Sequence, residues 1–309
     1  MKKIITLTLN PALDKNTSVE KLEPEKKLRC NNPDVAPGGG GVNVSRALHN
    51  LGIPSTAMYL AGGFTGKYFT DLLTQQGITT NVIEVKDELR ENIIVVDESN
   101  NKQYRFGMEG AEVRETEWRK ALQLLIDEDF DVVVASGSLP PGIPTDFYKQ
   151  LAKIVNAKKA KLVIDTSGAA LKDAMDEGVF LIKPNINELA SLYGKEDLKK
   201  KDADKAAKEI IAKGYCEVIV VSLGADGAML VTKDECHTVN APDVDKKTTV
   251  GAGDSMVAGI IAALHKSFSW KEVLQYGVAA GSAATMSGGT ELCKKEDVEM
   301  LFTNLKADK

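Results

Sequence analysis

A chain of 309 residues, 43% hydrophobic and 27% charged, is long enough to bury a large α/β core, as one domain or as two. Its net charge of −5 excludes bulk attraction to nucleic acid or to an acidic membrane, so anionic ligands must be met by local basic groups and backbone amides. The cysteines (Cys30, Cys216, Cys236, Cys293) form no CxxC pair and the histidines (His49, His237, His265) lie far apart outside any HExxH context, which excludes the common zinc spacings and fits free thiols in a reducing cytoplasm.

In chain order, "KIITLTL" (3–9) predicts a buried strand. The run is too short for a signal-peptide core, and Asn10-Pro11 ends it; no segment approaches the length of a membrane span. A soluble, cytoplasmic protein is expected. Residues 12–36 are strand-like but more polar. "GVNVSRALHNLG" (41–52) is an amphipathic helix stopped by a glycine, "STAMYL" (55–60) a strand, and 66–76 a second helix. Within 88–108, "ENIIVVDESNNKQYRF" carries two alternating runs around Ser99-Asn100-Asn101, the pattern of a hairpin. "DVVVAS" (131–136), "KLVIDT" (161–166), "VFLIKP" (179–184) and "EVIVVSL" (217–223) are apolar runs of strand length with helical segments between most of them. Helices close the chain at 254–265, 270–286 and about 295–306. Strand–helix alternation predicts a mainly parallel sheet covered on both faces, with ligands at the carboxyl ends of its strands. The two polar segments, about 12–36 and 88–108, predict a small sheet projecting as a lid from a single domain spanning 1–309. Alternation in "NIIVV" and "QYRF" leaves one face of that sheet apolar and in need of cover.

Five stretches carry candidate chemistry. In "NPALD", Asp14 sits near the carboxyl end of the first strand, where it can accept two sugar hydroxyls or close an Asx-type turn. In "PGGGGVNVSRAL", consecutive glycines before a helix suit close ligand approach or a hinge, with Asn43 one turn in to meet hydroxyls. In "KPNINE", Lys183 can meet a phosphate while Asn185 and Glu188 offer oxygen to Mg²⁺; a helix start with an acidic first turn is the alternative. "SLGADGA" (222–228) is a turn between strands that can also let adenine or ribose lie against the chain. In "KTTVGAGDSMVAG", glycines and a following helix make an anion site in which Asp254 is either a helix cap or a base. No Walker A loop occurs, and GxGxxG fails because Met256 stands where the last glycine would be. Lys27, Arg29, Arg90 and Arg105 fall in the projecting sheet; the forked guanidinium makes Arg90 and Arg105 the better phosphate contacts.

Together these stretches resemble the ribokinase-like (PfkB) family of sugar kinases over essentially the whole chain. "PGGGGVNVSRAL" looks like its amino-terminal signature and "TTVGAGDSMVAG" like its carboxyl-terminal one. "TLTLNPALD", "KLRC", "QYRF", "SGSLPPG" and "GVAAGSAAT" resemble the hexose-phosphate kinase branch, above all its bacterial 6-phosphofructokinases. The resemblance implies a three-layer sandwich with a mainly parallel central sheet and a β-sheet lid. It implies ATP-dependent phosphorylation of fructose 6-phosphate at O1, a glycolytic step, with Mg²⁺ required. Fructose 1-phosphate or tagatose 6-phosphate as substrate are the alternatives within the branch. A non-catalytic sugar-phosphate sensor is the alternative of another class, against which the intact GAGD argues, since a sensor needs no base.

Residue by residue, the resemblance makes Asp254 the catalytic base and the amides at Gly251, Ala252 and Gly253 the anion hole. Asp14, Gly38, Gly39 and Asn43 would hold the sugar, and Arg90, Arg105 and Ser138 would surround its phosphate. Lys183, Asn185 and Glu188 match the ATP–magnesium region, Ser222, Gly224 and Gly227 the nucleotide loop, and Val278 and Ser282 the adenine wall. A K⁺ loop would fall at Thr248, Val250, Ala284, Ser287 and Gly289, although "MSGGTEL" has Ser287 and Glu291 where the resemblance calls for asparagine and arginine. Lys27 matches a residue of a second, inhibitory ATP site, with a solvated lysine as the alternative. A homodimer through the lids is implied as well.

Overall fold

The computed structural model describes residues 3–288 and 290–307. The chain forms β1 (Ile4–Thr8), β2 (Ala12–Val19), β3 (Asp34–Gly38), α1 (Gly40–Asn50), β4 (Thr56–Ala61), α2 (Gly63–Gln75) and β5 (Thr79–Glu84). The hairpin of β6 (Arg90–Asp97) and β7 (Lys102–Phe106) follows. Alternation resumes through α3 (Glu115–Asp127), β8 (Val132–Ser136), α4 (Phe147–Ala157), β9 (Lys161–Asp165), α5 (Gly168–Met175), β10 (Val179–Ile182), α6 (Ile186–Tyr193), α7 (Ala203–Ala212) and β11 (Cys216–Ser222). Then come β12 (Ala228–Val231), β13 (Cys236–Val239), α8 (Ala252–His265), α9 (Trp270–Met286) and α10 (Lys295–Ala307).

Nine strands form the main sheet in the order β13-β12-β11-β10-β9-β8-β1-β4-β5. Every neighbouring pair from β11 to β5 runs parallel, as the strand–helix alternation requires. Period 2 along each strand divides its side chains between two cores. Ile5, Leu7, Val133, Ile164 and Ile182 pack with helices α3 to α7, whereas Ile4, Val134, Val163, Leu181 and Val220 pack with α1, α8, α9 and α10. This is the expected helix–sheet–helix sandwich. β1 lies between β8 and β4, so the winding reverses there, which makes the carboxyl ends of these strands the place where a doubly wound sheet forms its ligand crevice.

The small sheet has the order β3-β2-β6-β7, with β2 and β6 parallel and the outer pairs antiparallel. Its register pairs Asp14 with Asn92 and Ile94 with Arg105, which places these residues on one face. Ile93, Tyr104 and Phe106 share the other face and are 38%, 38% and 46% exposed. The expected apolar face is therefore real.

Three boundaries differ from the sequence reading. β5 was not anticipated, because it is an edge strand whose residues stay partly open to solvent. The glycines do not all precede the helix: Gly38 ends β3, Gly39 alone makes the turn at φ 114°, and Gly40 already belongs to α1. Finally, α8 begins at Ala252, so Asp254 lies inside its first turn and Gly251, at φ 72°, is the capping position.

Candidate active site

The glycine run is dictated first by the protein's own atoms. A Cβ on Gly38 would overlap the Asp14 carboxylate, and one on Gly41 would lie 2.6 Å from the Leu7 carbonyl oxygen. The Val42 amide donates to Thr8 Oγ1 at 2.8 Å, which ties the first turn of α1 to the end of β1. The result brings Asp14 and Asn43 to one crevice. Asp14 is a strand residue rather than part of an Asx turn, and its Oδ1 accepts from Asn92 Nδ2 at 2.9 Å. Burial pushes the Asp14 carboxyl above the ordinary range; the Asn92 hydrogen bond and the charges of Arg90, Arg46 and Arg105 pull against it.

On the opposite wall, the cap reading of Asp254 fails. Asp254 Oδ2 accepts from Asn43 Nδ2 at 2.9 Å across the crevice, and α8 has no side-chain cap. The carboxylate is densely surrounded yet keeps part of its surface open. Burial, and next the charge of Asp165, push it up to about 6; the Asn43 hydrogen bond and Lys183 oppose this. A carboxylate so placed is mainly ionised at neutral pH yet far more basic than a surface aspartate, which suits a general base. Around it lie the unpaired N–H groups and positive dipole end of α8.

Lys183 follows β10 and forms an ion pair with Asp165 at the end of β9, Nζ to Oδ1 3.2 Å, the two side chains being 9% and 19% exposed. Burial works against its ammonium charge, but Asp165, Asp254 and Glu188 outweigh it and raise the Lys183 pKa. A Cβ on Gly253 would lie 3.7 Å from Lys183 Nζ, so the ammonium stands beside the first turn of α8. The arrangement is compact: one carboxyl raised by burial, one fixed ammonium and a helix terminus, a set able to take a proton and to meet an anion.

The remaining candidates divide. Asn185 and Glu188 make a reciprocal capping box: Asn185 Oδ1 accepts from the amides of Asn187 and Glu188 at 2.9 Å each, and Glu188 Oε2 accepts from the Asn185 amide at 2.8 Å. Asn185 Oδ1 is thereby committed, while Glu188 keeps a second oxygen. Among the described residues no group of three or more side chains is ready to hold a metal alone. The donor set fits Mg²⁺ that arrives on nucleotide phosphates and keeps its waters. Ser222 lies next to this turn, its amide donating to the Pro184 carbonyl at 2.9 Å. Gly224 and Gly227, at φ 63° and 90°, shape the following turn, and Gly224 faces open space. Val278 is 1% exposed within the core, and Ser282, one turn on, is half-buried.

Arg90 is half-buried and donates to the carbonyls of Pro11, Met108 and Asn10 at 3.3, 2.8 and 2.8 Å, which leaves two of its five donors free. Arg105 is exposed, and its Nε donates to Gln103 Oε1 at 3.0 Å. Ser138 accepts from Asn10 Nδ2 at 3.1 Å at the mouth of the same crevice. The segment carrying Thr248 and Val250 is stitched to the end of α9: the amides of Lys247 and Thr248 both donate to the Thr285 carbonyl, at 2.8 and 3.3 Å, and Ser287 N donates to the Ala284 carbonyl at 3.3 Å. Gly289 lies outside the described residues. Lys27 is exposed in the connection between β2 and β3.

Three charged or polar groups were missed in the sequence: Asp165, Arg46 and Asn92. Asp165 ends a strand in "KLVIDT", a position that the carboxyl-end rule would have flagged. Arg46 lies one turn after Asn43 on the same helix face. No local signal marks Asn92, whose role depends on the register of β2 and β6.

A helix–sheet–helix sandwich with a small second sheet and a raised carboxyl in the first turn of a helix is the architecture of a sugar kinase. The family model described as pfkB family carbohydrate kinase matches residues 8–297, and the chain belongs to this family. The chain is 41% identical over 307 residues to the ATP-dependent 6-phosphofructokinase isozyme 2 of Escherichia coli, covering 99% of each chain. It is 33% identical over 304 residues to the 1-phosphofructokinase of Bacillus subtilis, covering 98% of each. The crystal structure of the E. coli phosphofructokinase-2 in complex with potassium superposes with a TM-score of 0.96 at 40% identity, over 99% of this chain and 100% of that one. The same E. coli protein has been solved in complex with fructose-6-phosphate, with a TM-score of 0.92 at 39% identity, and in a tetrameric inhibited form, with a TM-score of 0.94 at 40% identity; each match covers 99% of this chain and 100% of that one.

Proposed function

We propose that this chain is an ATP-dependent 6-phosphofructokinase that transfers the γ-phosphoryl group of ATP to O1 of fructose 6-phosphate, giving fructose 1,6-bisphosphate and ADP in the cytoplasm. The observation that carries the chemistry is the placement of Asp254, raised to about 6, against Asn43 at the head of α8 and beside Lys183. The choice of sugar follows the relative that is 41% identical over its whole length.

Asp14 and Asn43 hold sugar hydroxyls, and Arg90, Arg105 and Ser138 hold the 6-phosphate. Asp254 takes the O1 proton as the O–P bond forms and the bond from the γ-phosphorus to ADP breaks. Lys183 and the amides of Gly251, Ala252 and Gly253 offset charge on the transferring group, the main contribution a protein makes to phosphoryl transfer. Lys183, Asn185, Ser222, Gly224 and Gly227 form the nucleotide side, with Val278 and Ser282 behind the base. Glu188, through the oxygen that the capping box leaves free, would hold Mg²⁺ by way of water, with Asn185 fixing the turn; the ion would neutralise phosphate charge. Thr248, Val250, Ala284 and Ser287, with Gly289, are the expected K⁺ loop. The small sheet acts as a lid on a single-domain kinase, and its exposed apolar face supports a homodimer. Free cysteines throughout suit a reducing compartment, and among the described residues no helix is long and apolar enough to cross a membrane.

A coupled ADP-release assay against fructose 6-phosphate, fructose 1-phosphate and tagatose 6-phosphate tests the reading. Fructose 6-phosphate should give the highest kcat/KM. A clear preference for fructose 1-phosphate would move the chain to the 1-phosphofructokinases; no turnover with any of the three would leave the sensor.

A further inference from the structure

The Arg46 guanidinium reaches three elements at once. Its Nη1 donates to the Pro37 carbonyl at 2.9 Å and to Asn43 Oδ1 at 3.3 Å, and its Nε donates to Gln76 Oε1 at 2.9 Å. Asn43 in turn donates from Nδ2 to Asp254 Oδ2 at 2.9 Å. A carboxamide has one accepting end and one donating end. Flipping Asn43 would set its N–H₂ against the guanidinium and its oxygen against the carboxylate, two mismatches in place of two hydrogen bonds. The cation therefore decides which end of Asn43 meets the base. The same guanidinium holds the carbonyl of Pro37, directly before Gly38, whose backbone packs on the Asp14 carboxylate.

We propose that Arg46 is a positioning residue for the transfer reaction: it locks the Asn43 amide in the orientation that donates to Asp254 and holds the end of β3 beside Asp14. It touches no substrate itself. An ammonium cannot replace it, because Nη1 meets both the Pro37 carbonyl and the Asn43 amide oxygen while Nε, a second nitrogen in the same rigid plane, is held by Gln76. Burial opposes the Arg46 charge, and Asp14 and Asp34 sustain it. The inference rests on Asp254 being the base. The groups that face Asp254 are Asn43 from α1, Asp165 from the end of β9, Lys183 after β10 and Asp14 from β2. Of these, Arg46 hydrogen-bonds Asn43 and acts on Asp14 through charge, and the double variant below isolates the Asn43 route.

The test compares full-length wild type with Arg46→Met, Arg46→Lys, Asn43→Ala, the Asn43→Ala/Arg46→Met double variant and Asp254→Asn, using the pH dependence of kcat and the separate KM values. A brace that merely stiffens the fold would not move the acid limb of kcat. Arg46→Met should move that limb to higher pH, in the direction of Asn43→Ala, because Asp254 loses a hydrogen bond that favours its ionised form. Arg46→Met should also lower kcat/KM for fructose 6-phosphate on the order of tenfold with a smaller change in the KM for MgATP. The double variant should show no further limb shift beyond Asn43→Ala alone. If Arg46→Met does not fold, as thermal melting would reveal, Arg46→Lys carries the same comparison. A limb at the wild-type position in the Arg46 variant, or shifts that add in the double variant, overturns the proposal. Near-normal turnover of Asp254→Asn would instead bring down the base assignment, and this inference with it; an inactive Asp254→Asn beside an unmoved Arg46 variant brings down this inference alone.

Discussion

The two sides of the crevice are made of unlike material. On the side proposed for catalysis, Asp254, Lys183 and Asp165 sit at the start of a helix and at the ends of strands that are covered on both faces, next to cores in which most side chains are inaccessible. On the sugar side, Asp14, Asn92 and Arg105 stand on a four-stranded sheet whose last strand, β7, is exposed along its whole length. Burial gives the first side leverage over ionisation, so a carboxylate can be lifted to about 6. On the second side Asp14 is also raised by burial, but Arg105 offers its charge from an exposed strand at little cost in folding and is softly held. The chemistry should therefore fail sharply when the first side is altered, and affinity should fade gradually when the second is.

The largest effect is expected at Asp254. Asp254→Asn should lower kcat by about 10²–10⁴-fold, the range for loss of a general base. The wild-type rate should fall as pH drops through about 6, as the base becomes protonated. The same shift has the opposite consequence for stability. A carboxyl raised from 3.8 to about 6 in the fold costs nothing below its unfolded pKa, opposes folding increasingly between the two values, and keeps a constant cost above them. Asp254→Asn, which resembles the neutral form, should thus be the more stable protein at neutral pH by on the order of 2 kcal/mol, and its Tm should exceed wild type by a few degrees. That advantage should vanish below about pH 4. A variant that is inactive and also less stable at neutral pH would mean that the site carries no such strain.

Arg105 is the corresponding test of the exposed side. Arg105→Ala should raise the KM for fructose 6-phosphate by about 10–100-fold, the loss expected for one charge-assisted contact, while KM for ATP and the melting temperature change little. An ATP defect with intact sugar affinity would place Arg105 on the wrong side of the crevice.

The same division explains what was legible in the sequence. The main sheet announced itself because its strands are continuous apolar runs, and Asp254 because glycines crowd a helix start. Patterns of this kind are local. Asp165 lay in a strand whose carboxyl end pointed to the crevice, yet its importance comes from Lys183, 18 positions later and one strand over. Arg46 reads as an ordinary surface residue of an amphipathic helix until Pro37 and Gln76 are folded against it. For the glycine run the structure adds a reason that the sequence did not show, since Asp14 and Leu7 already exclude side chains there before any ligand arrives. In "KPNINE" the helix-start alternative is present in the structure as the capping box of Asn185 and Glu188, a local pattern that the sequence did carry.

The outer face of the small sheet gives a third, smaller effect. Ile93 pairs with Phe106 and Val95 with Tyr104 across β6 and β7, and the aromatic rings remain partly open to water. A second copy of the sheet would cover them. The protein should sediment as a dimer at micromolar concentration, and Phe106→Lys should dissociate it with a several-fold rise in KM for the sugar, because the sheet that carries Arg105 loses its support. A wild-type monomer with full activity would remove the pairing and make the exposed side self-sufficient.

The smallest expected effect lies farthest from the buried side, at Lys27. It is exposed and makes no ion pair among the described residues, whereas its neighbour Lys26 is paired with Glu23. An unpaired ammonium in the connection between β2 and β3, the strand pair that supplies Asp14 and Gly38, stands where a second anionic ligand could be drawn to the sugar side. The E. coli relative has an inhibited tetrameric form, and a second ATP bound here would have to prefer one conformation or assembly to another, or it would shift nothing. If it does, velocity at low fructose 6-phosphate should decline as MgATP rises to millimolar levels, and excess sugar phosphate should relieve the decline, since linkage between the two ligands is reciprocal. Lys27→Ala should weaken that inhibition a few-fold, the scale of one exposed charge, with rates at low MgATP measured in parallel to separate regulation from catalysis. Wild-type velocity that simply saturates with MgATP at constant free Mg²⁺ would show that the exposed side of the crevice binds sugar phosphate alone, and that Lys27 is a solvated lysine.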